Sequence, residues 1–151
     1  MAIWPVLQLG DPRLRMMTES VIDPATPEVA TTINDLRDTL AHWRTTTTYG
    51  RGIAAPQIGV LRRIVFVDMD RPWPLINPEI TGRSAETMVV WEEWHQLRAE
   101  GELAELLQHE IDHLDGILAL DRITDVRTIC VREEFERRYR CASPYAQPVA
   151  D

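Results

Sequence analysis

Two histidines separated by three residues, with a glutamate directly after the first, carry the most chemical information in this chain. The run is Gln108-His109-Glu110-Ile111-Asp112-His113-Leu114-Asp115-Gly116. On a helix, positions i and i+4 share a face about one turn apart. Two imidazoles so placed can bind one divalent ion, and the glutamate between them lies near enough to an activated water to move its proton. The pattern points to a mononuclear metal hydrolase. A third ligand is not obvious.

The spacing of apolar residues predicts the helix that carries this pattern over Glu100 to Leu114, with Gly116 where a helix stop is expected. Leu103, Leu107, Ile111 and Leu114 form its apolar face, with Leu106 at the edge. Glu110 falls inside that arc, and His109 and His113 fall beside it. A carboxylate on a buried face is costly unless paired. Burial would raise its proton affinity and a nearby cation would oppose the rise, and both trends suit a general acid/base.

Other elements must position this helix. Ile3 to Leu14 mixes apolar residues with a turn at Gly10-Asp11-Pro12. Thr26-Pro27-Glu28 looks like a helix start, with a capping hydroxyl and proline at the first helical position. Val29, Ile33, Leu36, Leu40 and Trp43 then make one apolar stripe, and His42 beside it is expected at the surface. Thr45 to Gly52 is loop-like. Strands are expected over Arg63 to Met69, over Leu75 to Ile80 with an interruption at Asn77-Pro78, and over Thr87 to Trp91. Thr124 or Asp125 is expected to cap a last helix reaching about Tyr139. The tail from about residue 143, with Pro144 and Pro148, is expected to be frayed. These elements imply an α+β fold with a central helix against small sheets.

The 151 residues suffice for one domain, and 1–151 is expected to form a single one. A net charge of −8 argues against a general nucleic-acid partner. No apolar run has membrane-spanning length and no charged-then-apolar leader precedes the fold, so a cytoplasmic protein without a membrane partner is expected. Cys130 and Cys141 are not a CxxC pair and are expected to be reduced thiols.

Gly50-Arg51-Gly52-Ile53-Ala54-Ala55-Pro56-Gln57-Ile58-Gly59 resembles the first signature of peptide deformylases, GxGxAAPQxG. Gln108 to Gly116 resembles their third, QHExDHLxG. Leu7 to Leu14, Ile76-Asn77-Pro78-Glu79 and Leu120-Asp121-Arg122 also look like that family, in its order. The resemblance implies a truncated deformylase-like fold with His109 and His113 as ligands of an iron, zinc or nickel ion. It implies Glu110 as acid/base and Gln57 as hydrogen-bond donor to the developing oxyanion. It makes Gly50, Gly52 and Ile53 a loop whose backbone approaches an N-formyl peptide or other small-molecule substrate.

The second signature departs from the family. Glu86-Thr87-Met88-Val89-Val90-Trp91-Glu92-Glu93-Trp94 follows a family variant that reads like ETxxLWDDCMSFP, and Trp94 stands where the metal-binding cysteine should be. Indole nitrogen is a donor only and cannot ligate. From Gln96-Leu97-Arg98 the chain jumps almost directly to the histidine helix, where a family member has further strands that wall the side-chain pocket. Three outcomes are open. His95 completes a three-histidine set, Glu92 or Glu93 supplies a carboxylate, or the site binds metal weakly or not at all. Trp91 and Trp94 either fill the space of the missing strands or build a new aromatic pocket. The expected activity is a deformylase-like hydrolase of a formamide or related small amide. A repurposed enzyme and a non-catalytic binding protein on the same scaffold are the alternatives. Missing strands would expose a sheet edge, which leaves room for a dimer.

Overall fold

The computed structural model describes residues 2–83, 87–92 and 95–139, and of residues 83, 87–92, 95, 96 and 132 the backbone only. Two compact units divide the chain, Met1–Asp121 and Arg122–Asp151.

The first unit holds two helices and two three-stranded sheets. Helix α1 spans Pro27–Thr47 and helix α2 spans Gly101–Leu114. Strands β1 (Gly52–Ala54), β2 (Ile64–Asp68) and β3 (Pro72–Ile76) form one antiparallel sheet in that order. Strands β4 (Glu79–Arg83), β5 (Thr87–Glu92) and β6 (His95–Glu100) form the other.

The first sheet is buried on both faces because a helix covers each. Alternation along β2 sends Val65 and Val67 to a core shared with Leu106, Leu107, Ile111 and Leu114 of α2. Ile64 and Phe66 go to the other face, against Val29, Leu36 and Leu40 of α1. This accounts for the unbroken apolar run Ile64-Val65-Phe66-Val67, which a half-exposed strand would not carry. In the second sheet, the described side chains of β6 have one covered face. Leu97 and Ala99 of β6 pack into the α2 core, while Arg98 and Glu100 are exposed. Among the described residues no helix is long and apolar enough to cross a membrane.

The elements differ from the sequence expectations at particular places. Helix α1 runs on to Thr47, through the first three residues of the expected loop. The hydroxyls of Thr45, Thr46 and Thr47 donate back to carbonyls of His42 and Trp43, which lets β-branched residues finish the helix before Thr48 turns left-handed at φ 61°. Thr26 precedes the helix, yet its hydroxyl makes no capping bond. The interrupted strand Leu75 to Ile80 is two strands of two different sheets. Asn77 sits at φ 51°, and its side-chain amide accepts from Val21 N (2.7 Å) and donates to Val21 O (2.8 Å). Pro78 then cannot donate to a ladder, so the chain changes sheet. Strands β1 and β6 have no counterpart in the sequence expectations.

Helix α2 stops as expected. Gly116 takes φ 70°, and a Cβ there would lie 2.6 Å from the Arg15 carbonyl oxygen, so both the turn and the close approach require glycine. In the second unit the expected last helix is broken. A short 3-10 turn, Val126–Thr128, is capped by the Asp125 carboxylate, and helix α3 begins only at Arg132 and ends at Arg138. Ile129, Cys130 and Val131 lie between them. Glu93, Trp94, Cys141 and the tail lie outside the described residues, as do the side chains of Glu92, Trp91 and His95.

Candidate metal centre

The C-terminal half of α2 delivers its two histidines to one point. Their Nε2 atoms are 3.2 Å apart, with ring centroids 4.6 Å apart and planes at 79°. Two imidazoles that both ligate one ion at roughly 2.1 Å reach about this separation. Burial lowers the proton affinity of both rings. His113 is held down to about 4, first by burial and then by His109, against the opposing charge of Asp112. His109, which keeps an exposed edge, is lowered by burial against the charges of Glu105 and Asp112. Two neutral imidazoles aimed at one point are what a divalent ion needs, so this pair fits one.

Glu110, only 2% exposed, lies on the core-facing side of the helix. Burial pushes its carboxyl up to about 8, against the pull of the Arg51 charge. Its Oε2 and the Nδ1 of His113 are buried without a hydrogen-bond partner among the described residues. Each such orphan costs about 1–3 kcal/mol in a permanently dry and unliganded setting. Glu110 Oε2 is the orphan on the reactive side, whereas His113 Nδ1 is the ring nitrogen away from the converging Nε2 atoms.

The carboxyl of Glu110 is held by Gly52. A Cβ at that position would lie 2.8 Å from Glu110 Oε1, 3.1 Å from Cδ and 3.2 Å from Cγ. Any other residue in β1 would push the carboxyl aside. Strand β1 therefore brings the glycine loop and the histidine helix together. The turn that follows, Ala55–Ile58, packs on the same helix. Within it, Gln57 Oε1 accepts a 2.7 Å bond from Ala54 N. That bond fixes which end of the amide faces β1 and leaves the Nε2 hydrogens for another partner.

The remaining sequence candidates are distributed unevenly. The Gly50 carbonyl accepts a 2.6 Å bond from Arg44 Nε. Arg44 also binds the Asp68 carboxylate and the Asp68 carbonyl, so one side chain ties α1, β2 and the loop together. The Ile53 side chain turns the other way, into the α1-side core, leaving only its backbone toward α2. Among the described residues no third histidine, cysteine, aspartate or glutamate completes a set of three. Cys130 is exposed in the second unit.

Two features escaped the sequence reading. Arg44 gave no signal beyond an ordinary charge at the end of a helix. Arg51 stands between the two glycines of the loop and pairs with Glu102 (3.3 Å) and Glu105 (2.9 Å) of α2. Its signal was available, because Glu102 and Glu105 are three apart on the helix and Glu105 is one turn before His109.

Comparisons with known proteins concern the chain as a whole. The profile of the polypeptide deformylase family matches residues 3–94 and 92–128. Peptide deformylase 2 of Clostridium perfringens is 35% identical, over 83% of this chain and 96% of that protein. The peptide deformylase of Thermomicrobium roseum is 36% identical, over 85% and 90%. Among solved structures, a peptide deformylase from Legionella pneumophila superposes with a TM-score of 0.75 at 30% identity, covering 93% of this chain and 98% of that one. One from Thermotoga maritima gives 0.74 at 28%, covering 83% and 100%.

Proposed function

This chain belongs to the polypeptide deformylase family and has its α+β fold, and from that premise we propose that it is a metal-dependent hydrolase of formamides with an altered metal site. The observation that carries the reading is the convergence of His109 and His113, 3.2 Å apart at Nε2, beside a buried Glu110 held by Gly52. The family relation supports an iron, zinc or nickel ion, which those two histidines would hold. When bound, the ion supplies Lewis acidity toward a carbonyl oxygen and a water molecule.

The chain's own residues account for the rest. Glu110 takes a proton from the attacking water and passes it to the amine nitrogen as the C–N bond breaks, giving formate and a free amine. Its carboxyl, raised toward neutrality by burial, suits both transfers. Gln57 Nε2 donates to the oxyanion that develops on the formyl oxygen, and its held Oε1 keeps that donor oriented. Backbone groups of Gly50 and Gly52 line the approach to α2.

His95 is the better candidate for the third ligand. It lies in β6, the strand that packs on α2 through Leu97 and Ala99. Strands β5 and β6 are separated by only two residues, Glu93 and Trp94, and the two family matches meet at 92–94. The alignment to the Clostridium perfringens relative runs over 156 residues, more than this chain contains, so that relative has residues with no counterpart here. A shortened connection of this kind supports a substrate pocket with one wall reduced.

The test is formate release from formyl-methionyl peptides by metal-loaded protein, beside Glu110→Gln. We expect slow release, abolished in the variant. Equal release by both proteins, or none from any formylated peptide, would overturn the reading.

A further inference from the structure

The wall nearest the histidine pair on the β1 side is charged. Arg51 projects from between Gly50 and Gly52 and reaches the first turns of α2, where Glu102 and Glu105 pair with it at 3.3 and 2.9 Å. Glu105 is four residues before His109 and so lies over the same face of the helix. The Arg51 charge is felt at Glu110 and at His109, and the Glu105 charge at His109, while Glu102 joins the group through its pair with Arg51. Gly52, next to Arg51, touches the Glu110 carboxyl, whose Oε2 is buried and has no partner among the described residues. A formamide carbon that reaches Glu110 from this side brings its nearest side chain past Arg51, Glu102 and Glu105.

The three partners differ in exposure. The Arg51 side chain is 30% exposed, against 61% for Glu102 and 52% for Glu105. The guanidinium is the inner member, and its donors are turned toward carboxylates. The carboxylates are the outer members. Each bonds to Arg51 through one oxygen, Glu102 Oε2 and Glu105 Oε2, although an ionised carboxylate has about four acceptor sites. The local balance is two anions to one cation. Such a wall offers acceptors and negative potential to a ligand, and it is a poor surface for an apolar chain, which would strip water from the carboxylates and return nothing.

We propose that Glu102 and Glu105, held by Arg51, make this site select formylated substrates whose side chain beside the formamide is cationic, lysine-like rather than methionine-like. The inference rests on the formamide reading above and adds the substrate class.

The test separates the two. Binding of formyl-lysyl-alanine, formyl-norleucyl-alanine and formyl-glutamyl-alanine to the metal-loaded protein is measured by calorimetry at low and high salt, with formate release followed in parallel. Lysine and norleucine side chains have similar length and differ in charge. Two partly exposed pairs should favour the lysyl peptide by about fivefold to tenfold at low salt, less at high salt. Glu102→Gln with Glu105→Gln should bring the two affinities together. Lysyl preference without formate release would keep this inference and remove the hydrolase reading. Equal or tighter binding of the norleucyl or glutamyl peptide, or binding of none, would overturn the inference. Formate release with norleucyl preference would overturn it while leaving the hydrolase reading in place.

Discussion

The β1 side and the β5–β6 side of helix α2 meet the same element but hold it differently. On the β1 side the contact is fixed atom by atom. Gly52 admits the Glu110 carboxyl, Gln57 bonds back to Ala54, and Arg44 clamps the Gly50 carbonyl to α1 and β2. The sheet behind it is buried on both faces. On the β5–β6 side the described side chains of β6 are covered on one face only, and the two strands follow each other with two residues between them. Of the family's two long signatures, the first lies on the β1 side and the third on the shared helix. The stretch that resembles the second signature includes strand β5, on the other side. A two-sided core leaves little room for change, because each residue in it answers to a helix on either face. A one-sided sheet can lose strands and ligands without unfolding the centre.

The largest expected effect sits on the shared helix. His109→Ala or His113→Ala should reduce bound metal to background, measured by elemental analysis after gel filtration. Cys130→Ser should leave metal content unchanged, since Cys130 is exposed and lies outside the recognisable motifs. Metal retained in either histidine variant would mean that the centre lies elsewhere.

Gly52→Ala probes the β1 side alone. The new Cβ would stand 2.8 Å from Glu110 Oε1 and must displace a carboxyl that is nearly fully buried. A shift of about 1 Å in a reacting group can cost roughly a hundredfold in rate. We expect that loss in formate release with metal content preserved, because neither histidine moves. Unchanged turnover would show that the close packing has no catalytic consequence.

His95→Ala and Glu93→Gln probe the other side. If β6 supplies the third ligand, His95→Ala should weaken metal retention by about tenfold or more and Glu93→Gln should not. The reverse order would shift the ligand to the hairpin carboxylate. Equal retention in both would mean that this side contributes no ligand, and the contrast between the two sides would become absolute.

The same contrast governs what could be read from sequence. The Ile64–Val67 run and the α2 face were legible because burial on two faces, or on one helical stripe, leaves a strong apolar pattern. His109, Glu110 and His113 stood out because their spacing follows the chemistry, and Gln57 because its loop resembles the family's first signature. Strand β6 was not legible, since His95 to Glu100 alternates only two apolar residues with charged ones and is six residues long. Strand β1 was hidden inside a glycine motif. The extension of α1 depended on threonine hydroxyls bonding back to carbonyls, and the sheet change at Asn77 depended on a tertiary partner, Val21. Neither leaves a periodic signal. Arg51 was visible as a charge in the loop, but its meaning required knowing that β1 lies against the start of α2.

The smallest effect we predict is on stability, and it isolates the buried carboxyl from catalysis. In metal-free protein the Glu110 carboxyl is raised to about 8 from an ordinary 4.5. Between those values the folded protein holds a proton that the unfolded chain releases. Its stabilising contribution is therefore full below 4.5 and is lost as pH rises through about 8. The histidines act in the opposite sense and mostly at lower pH. His113, held near 4 against an ordinary 6.5, favours the unfolded state as pH falls through that interval. The window from pH 7 to 8 is thus dominated by Glu110. Denaturant unfolding of chelator-treated protein should show stability falling there by about 1 kcal/mol, within the limit of about 1.4 kcal/mol per pH unit for one proton. Glu110→Gln, which cannot ionise, should be nearly flat across the same interval. Loading the histidine pair with a divalent ion should flatten the wild-type curve as well, because a cation beside the carboxyl opposes the effect of burial. The same slope in wild type and Glu110→Gln would mean that the carboxyl is already ionised in the fold, and the tight β1 side would lose the acid/base group that gives it a purpose.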